Sequence, residues 1–305
     1  MNEAKYIWMN GKLIAWKDAT THVLSHTLHY GNGVIEGTKA YKTEDGYAIF
    51  RLNDHTKRLK ESAKMTLINI PYSIADLNEA QLELLRQNQF QGDNVYIRPF
   101  AFLGYGVMGV YHVEAPVETV ISAWEWGAYL GEEALKSGIK LKIASMTRTA
   151  NTSNMGKAKA TANYLNSQMA KFEAIDCGYD EALLLDDQGY VAEASGACFF
   201  MVKNGILISP PNDNSLASIT QKTVIEIAND MGYSVERRRI TREEVYVADE
   251  AFLTGTAAEI TPIRNIDARI IGSGSRGEIT EVIQSTYFDI VFGRNDKYKH
   301  YLTYI

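Results

Sequence analysis

The chain is poor in cysteine, in positive charge and in long apolar runs. Its 305 residues include two cysteines, Cys177 and Cys198, far apart and outside any Cys-x-x-Cys pattern. A structural disulfide or a thiolate zinc site is therefore not expected, and a reducing cytoplasm suits the chain best. The formal net charge of −6 gives no electrostatic reason to expect nucleic acid or an anionic membrane as a partner.

Segments typical of secretion or membrane anchoring are not expected either. The first eleven residues lack an apolar stretch after a basic one, which a secretory signal needs. No apolar run reaches the roughly 20 residues that cross a bilayer. The composition, 46% hydrophobic, is that of a globular protein, and the length suits two domains of roughly 130 to 170 residues each.

Three of the six histidines, His22, His26 and His29, lie close together. Their spacing suits a metal ion if the segment is helical, but no acidic or sulfur ligand lies nearby in the sequence. Local hydrogen bonding by these histidines is the stronger interpretation. No metal is therefore expected.

The first part of the chain has the pattern of hairpins followed by helices and long strands. Asn-Gly and Asp-Gly pairs between short apolar runs are typical of tight β-hairpins. Apolar residues at helical spacing predict two helices, the first capped by Asn53 or Asp54 and the second by Ser73. The predicted elements are hairpins around 10–11 and 45–46, helices at 52–65 and 74–89, and strands at 94–103 and 118–126.

The rest of the chain begins with a glycine-rich segment, residues 127–138, which is predicted to join two domains. Hairpin-joined strands with helices between them are typical of an α+β fold and not of a doubly wound parallel sheet. One predicted helix carries an apolar stripe and stops at Gly178. The predicted elements are strands at 139–146, 181–185, 190–193, 197–202, 206–209, 250–254 and 259–264, and helices at 163–177, 219–231 and 277–292.

Two lysines, Lys157 and Lys159, lie among small residues just before the helix predicted at 163–177. A lysine between alanines can come close to a flat ligand, and burial favours the neutral amine that attacks an aldehyde to form a Schiff base. Surface lysines are common, so these residues alone do not establish a site. Nor do they distinguish one lysine from the other.

Two further segments suit an anion. Ser218 precedes a predicted helix, and the backbone amides at such a start bind phosphate readily. The small residues of the segment 254–262 expose turn amides that suit a phosphate or a carboxylate. Each also has a purely structural interpretation, as a capped helix and as a tight turn.

Charged residues on two strands add to these. Glu193 ends an otherwise apolar strand, and a carboxylate buried there needs a cationic partner or strong donors. Tyr96 and Arg98 lie on one face of a strand, where a phenol and a guanidinium form a clamp for a carboxylate. Surface pairing is the alternative interpretation of each.

Taken together, these segments resemble the class IV pyridoxal-phosphate aminotransferases, and among them the branched-chain amino acid aminotransferases. The resemblance covers nearly the whole chain and implies a mixed α+β and α/β fold of PLP fold type IV, similar to D-amino acid aminotransferase. It implies a small N-terminal α/β domain (1–126), a linker (127–138) and a large C-terminal PLP-binding domain (139–305), with the cofactor between the domains. The matching segments are 23–31 (VLSHTLHYG), 36–37 (EG), 54–59 (DHTKRL), 96–99 (YIRP), 126–131 (WGAYLG), 158–159 (AK), 163–164 (NY) and 255–262 (GTAAEITP).

The resemblance also implies which residues bind pyridoxal 5'-phosphate. In the family the Schiff-base lysine comes five residues before the tyrosine of Asn-Tyr, and Lys159 holds that position here. Glu193 is expected to pair with the pyridine nitrogen, so that the ring accepts the electrons of the substrate Cα–H bond. Tyr164 is expected to hydrogen-bond the ring's phenolic oxygen. The phosphate would be held by Arg58, Ile219, Thr220 and Thr256.

The implied activity is the reversible transamination of L-leucine, L-isoleucine and L-valine with 2-oxoglutarate, in a cytoplasmic homodimer or a larger hexamer. A D-amino acid aminotransferase, an aminodeoxychorismate lyase and a ligand-binding protein without chemistry remain alternatives. The substrate residues fall into three sets. Tyr96 and the amides of Thr256, Ala257 and Ala258 would bind the α-carboxylate, Arg98 and Tyr129 the side-chain carboxylate of glutamate, and Tyr30, Ile35, Met108 and Trp126 the branched side chain.

The chain departs from the family's usual pattern at four places. None of them removes a catalytic group, so they bear on substrate preference and not on reaction type. Residues 194–198 read ASGAC instead of Gly-x-Gly-x-Asn, 217–221 read ASITQ instead of PGITR, 160–162 read ATA instead of a run with two glycines, and Ile35 stands where phenylalanine is usual.

Overall fold

The computed structural model describes residues 3–127 and 129–305. Met1 and Asn2 of the predicted N-terminal domain, and Ala128 of the predicted linker, lie outside these residues. The described chain divides into two compact units. Unit 1 contains the residues up to Trp126 together with Ala158–Ala162 and Val291–Ile305, and unit 2 contains Gly127–Lys157 and Asn163–Ile290.

The described residues form α-helices, β-strands and short 3-10 turns in mixed order. The helices are α1 (His26–Tyr30), α2 (Leu52–Met65), α3 (Ile74–Asn88), α4 (Glu132–Ser137), α5 (Tyr164–Asp176), α6 (Ile219–Asp230), α7 (Arg242–Tyr246) and α8 (Glu278–Val291). The strands are β1 (Tyr6–Met9), β2 (Lys12–Ala15), β3 (Gly33–Ile35), β4 (Thr38–Thr43), β5 (Gly46–Phe50), β6 (Asn94–Leu103), β7 (Val117–Glu125), β8 (Ile139–Ile143), β9 (Glu181–Leu185), β10 (Val191–Ala194), β11 (Cys198–Lys203), β12 (Ile206–Ser209), β13 (Val235–Arg237), β14 (Glu250–Gly255), β15 (Glu259–Ile266), β16 (Arg269–Ile270) and β17 (Leu302–Tyr304).

Unit 1 is built on an antiparallel sheet in the order β17-β5-β4-β6-β7-β1-β2, with β3 paired to β6. The long strands β6 and β7 pair along their whole length, from Val95 opposite Glu125 to Leu103 opposite Val117. Helices α2 and α3 cover one face, and their leucines form a core with the inward residues of the sheet. This sheet holds Tyr96 and Arg98 on a rigid central strand.

Unit 2 is built on a mixed sheet in the order β10-β9-β8-β15-β14-β11-β12-β13. The pairs β8–β9, β8–β15 and β12–β13 are parallel, and the others in this order are antiparallel. Large apolar side chains such as Leu183, Phe199 and Leu253 are fully buried in its core. The fold class expected from the sequence is confirmed.

The turn and cap predictions in unit 1 are confirmed with one exception. Asn10 (φ 50°) and Gly11 (φ 87°) both take the left-handed conformation that a type I′ hairpin requires. Ser73 caps α3 in a reciprocal capping box with Asp76. The predicted cap of α2 is wrong. The cap position is Arg51 (φ 52°), and Asp54 lies inside the helix and accepts a 2.5 Å hydrogen bond from Arg51 Nε.

Other differences concern short elements. The segment predicted as a linker contains α4, which begins after Gly131 and ends at Gly138, both with positive φ. Helix α1, strands β3, β13, β16 and β17, and helix α7 are too short to show a period and were not predicted. Segments 158–162 and 291–305, which the predicted boundaries assign to the C-terminal domain, lie in unit 1.

The apolar stripe of α5 faces outward. The helix packs on the sheet through Ala170 and Ala174, which contact Ala182 and Leu184. These small side chains let the helix lie close to β9, and the larger apolar residues take the opposite side. Leu165, Met169, Phe172 and Ile175 are all at least 45% exposed.

Candidate active site

Lys159 lies on a short segment that crosses unit 1. Its backbone N–H donates to Ser62 Oγ on α2 at 3.0 Å, and its carbonyl accepts from the N–H of Ile35 at 3.0 Å. The alanines on both sides, Ala158 and Ala160, are buried. Lys157, by contrast, belongs to unit 2 and is exposed. The backbone around Lys159 is therefore rigidly held.

Arg58 is paired in unit 1 with a glutamate that sequence reasoning did not assign to any role. Arg58 Nε donates to Glu36 Oε1 at 2.6 Å, and Nη2 donates to Oε2 at 2.9 Å. His55 Nδ1 lies 2.8 Å from the same Oε2. His55 and Arg58 are three residues apart on α2 and so share one face of the helix. The Glu36 side chain has no exposed surface.

The pKa values of Glu36 and His55 in this cluster differ from those of isolated groups. Burial alone would raise the pKa of Glu36, but the Arg58 charge and the hydrogen bonds from His55 and Arg58 hold that pKa well below its usual range. Burial lowers the pKa of His55 in spite of the Glu36 contact, and the charges of Arg58 and Lys159 lower it further. At neutral pH the cluster therefore holds a carboxylate, a guanidinium and an uncharged imidazole.

Tyr96 and Arg98 lie side by side on β6, as the sequence predicts. Arg98 Nη2 donates to the Tyr96 hydroxyl at 3.0 Å, and the guanidinium lies over the rings of Tyr96 and Trp124 at 5.2 and 5.9 Å. Trp126 packs edge-on against Tyr96, with ring centroids 4.9 Å apart. Arg98 Nε is buried and has no hydrogen-bond acceptor among the described residues. Such a donor suits a carboxylate ligand.

Gly37 makes room for the Tyr96 hydroxyl. A Cβ atom at this position would overlap that hydroxyl and lie 2.7 Å from the ring carbon that bears it. Because Tyr96 is 95% buried by β6 and the tryptophans, its ring has little space to move aside. The glycine thus sets the position of the phenol.

The residues predicted to form the apolar wall are spread over unit 1. Ile35 is buried at the end of β3, and Trp126 follows β7. Tyr30 at the end of α1 and Met108 in the loop after β6 are exposed by 45% and 46%. They belong to an exposed apolar surface, here called the α1 surface, made of Val23, Leu24, Leu28, Tyr30, Met108, Val110 and Tyr111.

The three neighbouring histidines take part in hydrogen bonds around α1, as expected. His26 Nε2 lies 2.8 Å from the carbonyl of Gly109, and His29 Nε2 lies 2.9 Å from that of Val23. The Leu24 N–H donates to His22 Nδ1 at 3.1 Å. Among residues 3–127 and 129–305, no group of three His, Cys, Asp or Glu side chains is arranged to hold a metal ion.

Glu193 in unit 2 has the cationic partner that its burial requires. Arg148 Nε donates to Glu193 Oε1 at 2.6 Å, and the two side chains are only 7% and 12% exposed. Strand β10 has a register shift between Val191 and Glu193, an irregularity of the kind that reorients side chains. Arg148 was missed by sequence reasoning because it lies 45 residues away. The only signal was the general need of a buried carboxylate for a cation.

Tyr164 begins α5 directly after a 3-10 turn at Thr161–Asn163. Asn163 fixes this entry, since its side chain accepts from Asn154 Nδ2 at 2.6 Å and donates to the Met155 carbonyl at 3.1 Å. Tyr129 lies in a turn before α4, with the Lys171 ammonium 5.8 Å from its ring centroid. Both tyrosines belong to unit 2.

Unit 2 also offers backbone donors for an anion. Ser218 Oγ caps α6 by accepting from the Gln221 N–H at 3.2 Å, which leaves the amides of Ile219 and Thr220 in the first turn, where a helix has no internal acceptor. The Gln221 side chain donates to Ser209 Oγ at 2.7 Å. A second set of amides lies in the turn at Thr256, Ala257 and Ala258, between β14 and β15.

Each unit, taken by itself, offers groups that suit an aldehyde cofactor that carries a phosphate. Unit 1 provides a lysine amine on a rigid backbone and a guanidinium held by a buried carboxylate. Unit 2 provides a carboxylate paired with arginine, a phenol and two sets of backbone amides. Among the residues described, no helix is long and apolar enough to cross a membrane.

Comparisons with known proteins agree with this chemistry. Residues 33–266 match the model of the family described as Amino-transferase class IV. The branched-chain-amino-acid aminotransferase of Pseudomonas aeruginosa is 48% identical over 299 residues, which cover 98% of this chain and 97% of that protein. The solved T.th. branched-chain amino acid aminotransferase with pyridoxamine 5'-phosphate is 46% identical with a TM-score of 0.96, covering 100% and 99% of the two chains. The same enzyme complexed with N-(5'-phosphopyridoxyl)-L-glutamate matches at 43% identity and a TM-score of 0.94, with 100% and 99% coverage.

Proposed function

Because this chain belongs to the class IV aminotransferase family, we propose that it is a branched-chain amino acid aminotransferase. It transfers the amino group of L-leucine, L-isoleucine or L-valine to 2-oxoglutarate, in two reversible half-reactions. Its relatives of 40–48% identity over nearly the full length support this activity. The observation that carries the proposal is Arg98, a cation lying against Tyr96 and Trp124, with Trp126 packed on Tyr96. A pocket with this wall suits both an aliphatic side chain and a carboxylate.

The chemical step depends on Lys159. Pyridoxal 5'-phosphate, when bound, supplies an aldehyde and a ring that accepts the electrons of the substrate Cα–H bond. Lys159 would hold the aldehyde through its amine and would move the substrate's Cα proton as general base and acid. The rigid backbone at Ser62 and Ile35 supports this role because it limits where the amine can go.

The other proposed cofactor residues hold the ring and the phosphate. Glu193 pairs with the ring nitrogen, and Tyr164 donates to the phenolic oxygen. Arg148 keeps the Glu193 carboxylate in one orientation through its 2.6 Å hydrogen bond. The phosphate is held by the Arg58 guanidinium, the amides and hydroxyls at Ile219 and Thr220, and Thr256.

The proposed substrate residues fall into sets that bind either a carboxylate or the side chain of the substrate. Tyr96 and the amides of Thr256, Ala257 and Ala258 bind the α-carboxylate, which every substrate has. Arg98 and Tyr129 bind the second carboxylate of L-glutamate, and the glutamate adduct of the T.th. enzyme supports such a site. The wall that receives the branched side chain is formed by Tyr30, Ile35, Met108 and Trp126.

The exposure of Tyr30 and Met108 supports a homodimer. Two residues of the apolar wall cannot be half-exposed and also exclude water unless another chain covers them. We propose that a second copy packs on the α1 surface and that Tyr30 and Met108 reach its pocket. Val110→Asp, at a residue 87% exposed, is expected to give monomers in sedimentation velocity, whereas the same change at exposed Val247 is not. Dimers that persist in Val110→Asp would contradict this assembly.

A reducing cytoplasm is the proposed location. Cys177 is exposed, Cys198 is buried, and no disulfide joins them in the part of the chain that the structure describes. An exposed thiol is stable in a compartment that keeps thiols reduced.

A substrate panel tests the proposed activity directly. Purified holoenzyme is mixed with L-leucine, D-alanine or aminodeoxychorismate, and the change in the cofactor absorption band is followed in a single turnover. We expect reaction with L-leucine and none with the other two. Turnover of D-alanine or of aminodeoxychorismate would assign the chain to another branch of the family. Cofactor uptake without reaction of any amine would favour a binding protein.

A further inference from the structure

Glu36 has no role in the activity described so far, although the Glu36-Gly37 pair is part of the motif that marks the family resemblance. We propose that Glu36 is a positioning residue, which fixes the Arg58 guanidinium in the orientation that binds the cofactor phosphate. The proposal rests on the proposed function, since it assumes that Arg58 contacts that phosphate. Glu36 itself touches neither cofactor nor substrate in this scheme.

The contact between the two side chains is specific in direction. Glu36 meets Arg58 through two parallel hydrogen bonds, to Nε at 2.6 Å and to Nη2 at 2.9 Å. A two-point contact of this kind fixes the guanidinium plane and directs its remaining N–H groups away from the carboxylate. A single hydrogen bond would leave the plane able to rotate.

The carboxylate is itself held in place. His55 Nδ1 donates to Glu36 Oε2 at 2.8 Å, and the Gly37 N–H donates to the same oxygen at 3.2 Å. Because Glu36 is ionised and accepts only, the proton of His55 must lie on Nδ1. His55 is uncharged at neutral pH. It therefore orients the Glu36 carboxylate by a hydrogen bond and places no second positive charge beside Arg58. Both residues are at least 97% buried, so water does not replace these contacts.

The place of Arg58 on α2 connects this cluster with Lys159. Ser62, which accepts the hydrogen bond from the Lys159 backbone, is four residues after Arg58 and so lies on the same helix face. Arg58 keeps 12% of its side chain exposed, whereas Glu36 keeps none. Burial is thus complete for the carboxylate and nearly complete for the arginine.

The test compares two cofactor forms that differ in the phosphate. Apoenzyme of wild type and of Glu36→Gln is titrated with pyridoxal 5'-phosphate and with pyridoxal, and both dissociation constants are measured from fluorescence quenching. We expect Glu36→Gln to weaken pyridoxal 5'-phosphate about tenfold or more, as loss of a residue that orients a ligand typically does, and to leave pyridoxal unchanged. Glu61→Gln, an exposed glutamate on the same helix, is the matched control and should change neither constant.

A second pair of variants covers the case in which Glu36→Gln does not fold. His55→Asn keeps an N–H donor near the Nδ1 position, and His55→Leu removes it. The Asn variant is expected to retain affinity for pyridoxal 5'-phosphate, and the Leu variant is expected to lose severalfold of it, with pyridoxal again unchanged.

Each other outcome overturns the proposal. If both cofactor forms weaken by the same factor, Glu36 stabilises unit 1 and does not act through the phosphate. If neither weakens, Arg58 binds phosphate without help. Wild-type apoenzyme that binds neither form would contradict the proposed function itself, before any variant is considered.

Discussion

The two units offer anion donors of different kinds. In unit 1 the donors are side chains, Arg58 and Arg98, which hydrogen-bond to Glu36 and to Tyr96 respectively. In unit 2 they are backbone amides, at the start of α6 and in the turn at 256–258. A side-chain donor is lost by one substitution, whereas a backbone donor survives most substitutions and depends on local shape. Substitutions in unit 1 should therefore have larger effects than comparable substitutions in unit 2.

The largest effect is expected at Lys159. Lys159→Ala removes the group proposed to hold the cofactor and to move the proton, so the single-turnover rate with L-leucine should fall about a thousandfold or more. Lys157→Ala is the control, because Lys157 is exposed. Borohydride reduction of wild type followed by peptide mass mapping should find the label on residue 159. Label on Lys157 would contradict the assignment.

The next largest effect is expected from loss of the Glu36 charge. Glu36→Gln leaves the partner charge of a buried ion pair uncompensated, and about 3 kcal/mol of unfolding free energy should be lost at neutral pH. In wild type the folded-state pKa of Glu36 lies below its ordinary 4.5, so this stabilisation is present above that pH and decreases as the pH falls below it.

The stability of the folded chain should also depend on pH through His55. The folded-state pKa of His55 is below its ordinary 6.5, so the unfolded chain binds the proton first and stability already declines as the pH falls through 6.5. Hydrogen exchange measured from about pH 7 to 4 should therefore show earlier loss of protection in α2 than in α6. Equal loss in the two helices would contradict this difference between the units.

Removal of the Arg98 charge should lower kcat/KM for one of the two substrates much more than for the other. Arg98→Met is expected to lower kcat/KM for 2-oxoglutarate about 100-fold, as loss of a charge-assisted hydrogen bond would, and to change that for L-leucine much less. Arg98→Lys keeps the charge but not the fork of donors, and should lie between. Steady-state kinetics with each substrate varied in turn provides the measurement. A similar loss for both substrates would mean that Arg98 binds the carboxylate they share.

The smallest effect is expected at the amides of unit 2 that are proposed to bind the phosphate. Ser218→Ala removes the cap of α6 and should cost about 1 kcal/mol of stability, and Ser218→Gly only a few tenths. Affinity for pyridoxal 5'-phosphate should change severalfold at most in either variant, because the amides remain. A tenfold loss in Ser218→Gly would show that unit 2 depends on side chains as strongly as unit 1 does.

Helices and strands of regular period were accessible from the sequence, and the contacts between distant residues were not. The helix at 52–65 and the strand at 94–103 were predicted to the residue, because their apolar positions repeat over ten or more residues. Glu36 and Arg58 were both noticed in motifs, but their pairing across 22 residues depends on how β3 meets α2. No local pattern encodes such a meeting.

The difference between Lys157 and Lys159 has the same origin. Both lie among small residues, but the bridge between Val34 and Ala160 and the backbone hydrogen bonds of Lys159 hold the second one in unit 1. The prediction of the α2 cap failed for a related reason. Asn53 and Asp54 are good capping residues, but Arg51, whose N–H donates to the Tyr301 carbonyl, takes the cap position instead. Tertiary contacts decided both positions.

Because Gly37 has only a hydrogen atom as its side chain, positions 37 and 96 should constrain each other in evolution. Any larger group at 37 would meet the phenol on β6, so an exchange there is tolerated only after a smaller residue has replaced the tyrosine. The two positions should therefore change together across related sequences, and a lineage that keeps the tyrosine is confined to glycine.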